Sequence, residues 1–337
     1  MTDPERTNGD RTSRVDIHTH VTNAIIAAIE RGGTRYRMSY RLPWHHDGAP
    51  TSRPVNAISG KGYRGCNTLL LWAAAEANNY ETGRWATYRG WASLGAQVRK
   101  GERSTTVVFW KAFRKDSEDP SDSGVVDGDD AAGRPRFMAR GYSVFNQSQV
   151  DGYEPPVLTP LNEATRHAGA DAFFTNLNIP LVTGGDQAFY RPATDTIHMP
   201  PFRQFRDWQA HASVLLHEAG HASGARHRLD RDLSGRFGSE AYAGEELVAE
   251  ISAALALADL GIAHEPRPDH AAYVASWLKI LKSETRAIFT AASKAQAAVD
   301  WMHAQQPGAA ATGPDEDEGE TSAADGVARV SAVAAAA

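Results

Sequence analysis

The pentapeptide His217-Glu218-Ala219-Gly220-His221 sets two imidazoles four residues apart, with a carboxylate directly after the first. On a helix, residues i and i+4 share a face, so both rings can reach one zinc ion. Glu218 then points to the open side of that ion, where it can take a proton from water that zinc acidifies to a pKa of about 7. The chemistry within reach is metal-assisted hydrolysis. A purely structural zinc site has no use for Glu218.

Zinc needs a third protein ligand, and two solutions compete. His217-Glu218-x-x-His221-x-x-Gly224-x-x-His227 follows the literal pattern of the metzincin proteases, in which a glycine turn returns a third histidine to the metal. Those enzymes also place a methionine turn beneath the site. Here the one methionine after the motif is Met302, inside an apparent helix. The alternative is a carboxylate from GEELVAEISAAL, where Glu246 and Glu250 lie four apart and share a helix face. One of the pair can bind the ion while the other accepts a hydrogen bond from a ligating imidazole, as in gluzincin-type sites. Tyr242 and His198 are weaker candidates for stabilising an oxyanion, and the strand around 189–199 could present a substrate backbone by strand addition.

A second chemistry is carried by charge. Between Arg31 and Lys115 there are 15 Lys and Arg against four acids, a net +11 inside a chain whose formal charge is -6. The same stretch holds five of the eight tryptophans. Cations interleaved with aromatics suit a sequence-tolerant binder of single-stranded nucleic acid, because phosphates supply the charge term and bases stack on rings. Candidate contacts are Arg35, Arg37, Tyr40, Arg41, Lys61, Tyr63, Arg64, Trp85, Arg89, Trp91, Arg99, Lys100 and Arg103. Trp72 and Trp110 stand in apolar runs and read as core. The glycines of GKGYRG are not followed by Walker spacing, so a nucleotide loop is a poor reading.

The elements that must carry these residues are legible from periodicity and punctuation. Ile17, Val21, Ile25 and Ile29 recur at four-residue steps ahead of Gly32-Gly33, which predicts an amphipathic helix with a glycine stop. Helices are also predicted over 67–79 and around WATYRGWASLG, and 136–147 reads as a strand pairing with 104–113. Asp207 is the expected N-cap of the motif helix, which should end near Gly224. Helices over LNEATRHAGADAFFTNL, GEELVAEISAALALADLG, DHAAYVASWLKILK and RAIFTAASKAQAAVDWM make the second half mostly helical, with a strand pair in QAFYRPATDTIHMP.

The fold class is therefore α+β: a basic α+β module over 14–152 interrupted by an acidic loop at 116–135, a Pro-rich linker at 153–160, and a zincin-like domain over 161–304. Residues 1–13 and 305–337 are polar or low in complexity and are expected to be disordered. The single cysteine, Cys66, excludes an intrachain disulfide and fits a reducing compartment. With no run near the roughly 20 apolar residues of a membrane span and no signal peptide, a cytoplasmic location is expected.

NAISGKGYRGCNTLLLW, GRWATYRGWASLGAQVRKGE, ARGYSVFNQSQVDGY, FYRPATDTIHMPPFRQF, RFGSEAYAGEELVAEI and ADLGI together resemble the ArdC-type antirestriction proteins, which are related to the N-terminal part of plasmid TraC primases. The resemblance runs from about Val15 to about Met302. It implies a single-stranded DNA-binding N-terminal domain and a zinc metallopeptidase domain. In that family the position matching His227 is often not histidine while the match to EELVAE is characteristic, which implies Glu246 as third ligand without separating it from Glu250. The partners implied are single-stranded DNA and a protein substrate. A different reading keeps the DNA binding and treats zinc as structural or vestigial, so that DNA is protected by occupancy alone.

Overall fold

The structure, a computed structural model, describes residues 16–35, 53–113, 125–127, 136–156, 162–236, 239–263 and 270–309. Arg37, Tyr40 and Arg41 lie outside the described residues, as do 1–13, most of the acidic stretch 116–135, residues 157–160 of the linker and the tail from 310.

In chain order the N-terminal half comprises α1 (Ile17–Arg35), β1 (Val55–Asn56), α2 (Cys66–Asn78), β2 (Arg84–Thr87), α3 (Tyr88–Ser93), β3 (Gln97–Val98), β4 (Thr105–Phe113), β5 (Val125–Asp127), β6 (Arg136–Asn146) and β7 (Val150–Asp151). The C-terminal half comprises α4 (Glu163–Asn176), β8 (Leu181–Thr183), β9 (Phe189–Arg191), β10 (Thr196–Met199), α5 (Trp208–Ala222), α6 (Glu240–Asp259), α7 (His270–Ser283) and α8 (Ala287–Ala304). Helices and largely antiparallel sheets occupy separate stretches of chain, which is the α+β class.

The larger sheet has the order β1-β2-β6-β4, with β5 also pairing β6. β4 and β6 run antiparallel from Thr105↔Val144 to Phe113↔Arg136. On the α2 side, buried Asn67 treats β4 as another strand would. Its Nδ2 donates to Val108 O at 2.7 Å and its Oδ1 accepts from Val108 N at 2.8 Å, so helix and sheet are joined with no buried amide left over.

Strand alternation sends Trp85 to one face of this sheet and Ala86 to the other. Trp85 packs with Leu71, Val107 and Val144. Trp91 packs with Ala86, Val98 and Val150, and its Nε1 donates to Phe145 O at 2.9 Å. Both tryptophans are 0% exposed, so neither can stack on a base, and nearly buried Tyr63 shares the pocket of Trp85. These three contact assignments are corrected to core. The periodicity of WATYRGWASLG also misleads at its start. Trp85–Thr87 belong to β2, and the helix begins only where Thr87 Oγ1 accepts the Gly90 amide at 3.0 Å.

One core links the two halves. Val21, Ile25 and Ile29 of α1 and Leu69 of α2 lie in the same apolar cluster as Leu247, Ile251 and Leu255 of α6, Trp277 of α7 and Val299 of α8. α6 is buried along most of its length, from Ala243 to Ala258. Its start is fixed by Ser239, whose Oγ accepts the Tyr242 amide at 3.1 Å, and that of α5 by Asp207, whose Oδ1 accepts the Ala210 amide at 2.8 Å. A Cβ on Gly220 would sit 3.0 Å from Ala249 Cα and 3.2 Å from its carbonyl oxygen. The glycine inside the histidine motif thus lets α5 approach α6 backbone to backbone.

β3 and β7 pair as a two-stranded sheet, and a three-stranded sheet has the order β8-β10-β9. β9 and β10 form the antiparallel pair expected from the sequence, with Ile197 opposite Tyr190. β8, parallel to β10, was not anticipated; it is three residues long and exposed throughout, with no apolar alternation to announce it.

Candidate metal centre

The contact between α5 and α6 brings the motif histidines onto the carboxylates of the next helix. His217 Nε2 lies 3.5 Å from Glu246 Oε2, and His221 Nε2 lies 3.4 Å from Glu246 Oε1. The imidazole planes are crossed at 82° with centroids 4.9 Å apart. One donor atom from each of His217, His221 and Glu246 falls within 4.8 Å of the other two. Tetrahedral ligands about 2.0–2.1 Å from a zinc ion are separated by about 3.3 Å, so the three residues fit one ion with a position left open.

The two carboxylates of α6 that flank Glu246 engage the other ring nitrogens. Glu250 Oε2, fully buried, is 3.4 Å from His217 Nδ1, although the alignment is too poor for a good hydrogen bond. Glu245 Oε1 is 3.4 Å from His221 Nδ1. Glu245 is gripped in turn by Arg231, whose Nε donates to Oε2 at 3.1 Å and whose Nη2 donates to Oε1 at 2.7 Å. The same guanidinium donates to Gly220 O at 2.6 Å and to Ser223 Oγ at 2.8 Å, so it ties the end of α5 to α6. Glu245 and Arg231 were missed from sequence. The signal was present in the adjacent Glu245-Glu246, but helix geometry turns neighbours about 100° apart and periodicity alone does not assign one of them to a second imidazole.

Charge inside the cluster is strongly coupled. Burial opposes ionisation of Glu246, but hydrogen bonds and attraction from His217 and His221 outweigh it and hold the carboxyl well below its usual range. Burial likewise opposes protonation of His221, yet hydrogen bonds to Glu245 and Glu246 and the charge of Glu218 push it up to about 10. A buried imidazolium between carboxylates is how such a donor set neutralises itself, and the same carboxylates would satisfy a divalent cation.

Glu218 is buried, and its Oε2 accepts the Tyr190 backbone N–H of β9 at 2.8 Å. Tyr190 pairs with Ile197 on the other side of β9, so this N–H belongs to the strand's outer edge and faces the motif helix. The hairpin that carries it is pinned by Asp195, which receives Arg228 Nη1 and Nη2 at 2.6 and 2.8 Å and the Tyr190 hydroxyl at 2.8 Å. Burial, with help from Asp195, pushes the Tyr190 phenol up to about 12.

His227 does not join the cluster. Its side chain is 63% exposed, with Nε2 3.3 Å from Asp195 Oδ2. Gly224 has a different use from a ligand turn, because a Cβ there would strike Arg231 Nη2 at 2.9 Å. Neither oxyanion candidate stands free: the Tyr242 hydroxyl is hydrogen-bonded to Glu246 and lies 3.4 Å from the Tyr273 hydroxyl, and His198 stacks on Phe189 with ring centroids 4.5 Å apart.

The cations of the basic module divide into two groups. Arg64 is paired with Asp300, and Arg99 with Glu102 and Asp151. Arg89, Lys100 and Arg103 are exposed and make no ion pair among the described residues; Lys61 is exposed as well. Arg35 ends α1. Cys66 is buried, with its thiol pushed up to about 12 by that burial. No helix of the described residues is long and apolar enough to cross a membrane.

Residues 15–145 match the family described as the N-terminal domain of anti-restriction factor ArdC, and residues 168–294 match the family described as zincin-like metallopeptidase. The uncharacterized protein y4eC of Sinorhizobium fredii is 56% identical over 301 residues, which cover 88% of this chain and 95% of that protein. A DNA primase TraC of Escherichia coli is 40% identical over 279 residues, 78% of this chain but only 18% of the primase. Two crystal structures of the antirestriction ArdC protein from the R388 plasmid superpose with a TM-score of 0.66. The metal-free one is 34% identical and covers 86% of this chain and 97% of its own; the Mn(II)-bound one is 35% identical and covers 86% and 98%.

Proposed function

The chain belongs to the ArdC antirestriction family, and from that premise we propose that it binds single-stranded DNA on its basic N-terminal half and hydrolyses peptides at a zinc centre in its C-terminal half. The observation that carries the reading is the convergence of His217, His221 and Glu246 beside Glu218, at separations that suit one tetrahedral ion. In this reading His217, His221 and Glu246 hold Zn2+, and Glu250 and Glu245 orient the two imidazoles. A bound zinc ion supplies Lewis acidity that polarises a carbonyl and acidifies water.

The remaining chemistry belongs to the chain. Glu218 is the general base: the Tyr190 N–H holds Oε2, which leaves Oε1 to accept a proton. β9 is an edge strand of its sheet, and a peptide that adds alongside it takes the Tyr190 N–H from Glu218, which couples docking of substrate to release of the general base. Tyr242 holds the Glu246 carboxylate in place rather than meeting substrate.

DNA binding is assigned to the free cations Arg89, Lys100 and Arg103 together with Lys61. Tyr88, 51% exposed beside Arg89, takes the stacking role that buried Trp85 and Trp91 cannot. Tyr88 is steadied by Gln97 Nε2, which donates to its hydroxyl at 2.7 Å, and by an edge contact with Phe145.

Glu218→Gln separates catalysis from occupancy. Zinc content should be unchanged while proteolysis and its share of antirestriction are lost. If zinc stays bound and both activities persist, the peptidase mechanism is wrong and DNA is protected by occupancy alone. A gel shift with single-stranded DNA over a salt series should show affinity falling steeply with salt.

A further inference from the structure

Past Glu218, the edge of β9 runs into a cavity that the chemistry above leaves unused. It holds about 540 Å³ at the turn of the β9–β10 hairpin, between Tyr190, Pro192 and Asp195 of the hairpin and Ala225, Arg226 and Leu233 of the segment that follows α5. Pockets that receive small ligands or side chains are of this size. Tyr190 lines the cavity and its backbone N–H meets Glu218, so the cavity adjoins the general base.

The charges in its wall are matched, with one exception. Asp195 receives both terminal nitrogens of Arg228 and the Tyr190 hydroxyl, and His227 lies against it. Arg231 is engaged by Glu245. Arg226 is exposed and makes no ion pair among the described residues. Pro192, Ala225 and Leu233 add apolar wall on which the methylenes of a long side chain can lie.

A second such cation stands on the other face of β9. Tyr190 is paired with Ile197 of the core, so alternation sends Phe189 and Arg191 to the opposite side. There Phe189 stacks on His198, and the Arg191 guanidinium lies over the Phe189 ring, 5.3 Å from its centroid. Arg191 is exposed and likewise makes no ion pair among the described residues.

An extended peptide that pairs with Tyr190 alternates its own side chains in the same way. The one opposite Tyr190 and those two residues away project toward α5 and the cavity, and the ones between them project beside Phe189 and Arg191. Each set therefore meets an uncompensated arginine, which favours acidic side chains and opposes basic ones. We infer that the substrate is an acidic extended peptide, selected by Arg226 at the cavity and by Arg191 on the outer face of β9. The inference rests on the peptidase reading of the same site.

The test uses the full chain, loaded with zinc and carrying Glu218→Gln so that fluorescence anisotropy reads binding without hydrolysis. The probes are three labelled peptides of one extended sequence with Glu, Gln or Lys at its polar positions. At low salt the Glu peptide should bind about tenfold tighter than the Gln peptide, and the Lys peptide weakest. Arg191→Gln and Arg226→Gln should each cut that preference by about threefold, the size of one exposed charge pair, and together should bring it within about twofold of unity. Arg226→Lys, which keeps the charge, should keep most of it. Equal binding of the three peptides overturns the inference and leaves the peptidase reading standing. A preference that survives the double substitution also overturns it, because the metal ion or the basic N-terminal half is then its source. Binding of none of the peptides sinks the inference together with the reading on which it rests.

Discussion

Arg231→Met should damage the metal centre without touching a ligand. Arg231 is 5% exposed at its side chain and Glu245 12%, so the pair is shielded from solvent screening. The substitution removes two charge-assisted bonds to Glu245 and the donors to Gly220 O and Ser223 Oγ. Breaking one side of a buried pair costs about 3–5 kcal/mol, because the surviving charge is left uncompensated. At about 2–4 °C per kcal/mol, an upper guide for a chain of this size, that corresponds to a fall in Tm of roughly 6–20 °C. Glu245 would then lose its anchor and with it the fixed partner of His221 Nδ1. Loss of such a partner typically weakens metal binding by about 10–100-fold. Zinc affinity by competition with a chromophoric chelator, beside Tm with and without zinc, measures both quantities. Arg231→Lys keeps the charge but loses the fork, so it should recover part of the stability and less of the affinity. A zinc affinity for Arg231→Met within twofold of the parent would refute the claim that Arg231 acts on the site through Glu245.

Gly220→Val places a branched side chain where a Cβ already meets Ala249 Cα at 3.0 Å; overpacking of this kind costs about 1–3 kcal/mol, and zinc should be lost along with stability. Trp85→Ala should cost about 3–5 kcal/mol by denaturant unfolding, with little effect on oligonucleotide binding by the protein that remains folded. Tyr88→Ala should do the reverse, leaving stability within about 0.5 kcal/mol and weakening single-strand affinity by about 1–3 kcal/mol. The metal-free protein should show a defined pH response. His221, raised from 6.5 to about 10, adds stability that is complete below its unfolded value and lost as pH rises through about 10. Glu246, lowered from 4.5, adds stability that is present above that value and lost as pH falls. Both contributions are therefore whole between pH 4.5 and 6.5, where metal-free Tm should peak. Zinc binding near pH 8 should release about one proton from His221, seen as a dependence of calorimetric heat on buffer ionisation enthalpy.

What could be read in advance was whatever obeys a local rule. The helix from Ile17, the Asp207 cap and the β4–β6 pairing each rest on periodicity or capping within a few residues, and the structure has them. The two motif histidines share a face for the same reason, since i and i+4 spacing needs no tertiary knowledge once a helix is granted, whereas their meeting with Glu246 depends on the contact between α5 and α6. Burial of aromatics was not legible. Trp85 and Trp91 sit among Arg and Gly in sequence, as exposed stacking residues would, yet they fill the two faces of a narrow sheet. Exposed Tyr88 escaped attention because it stands next to Thr87, whose capping role fixes where α3 begins and so which way Tyr88 faces.

The third histidine shows how a spacing pattern can be satisfied for reasons unrelated to metal. After His221 the chain must leave α5, clear a buried guanidinium and brace the β9–β10 hairpin. Gly224 is needed because any Cβ would collide with Arg231, and Arg228 is needed because Asp195 must be held for Tyr190 to reach Glu218. His227 then falls on the outer side of that brace, against Asp195 and mostly in solvent. Gly224 and Arg228, next to the third histidine, thus support the second imidazole and the general base, while the donor that converges with both histidines comes from the helix that Gly220 admits. His227→Ala should accordingly leave zinc affinity within about twofold, as expected for an exposed side chain outside the cluster, whereas Glu246→Ala should abolish it. Zinc retained in Glu246→Ala and lost in His227→Ala would overturn the ligand set and return the site to the three-histidine geometry.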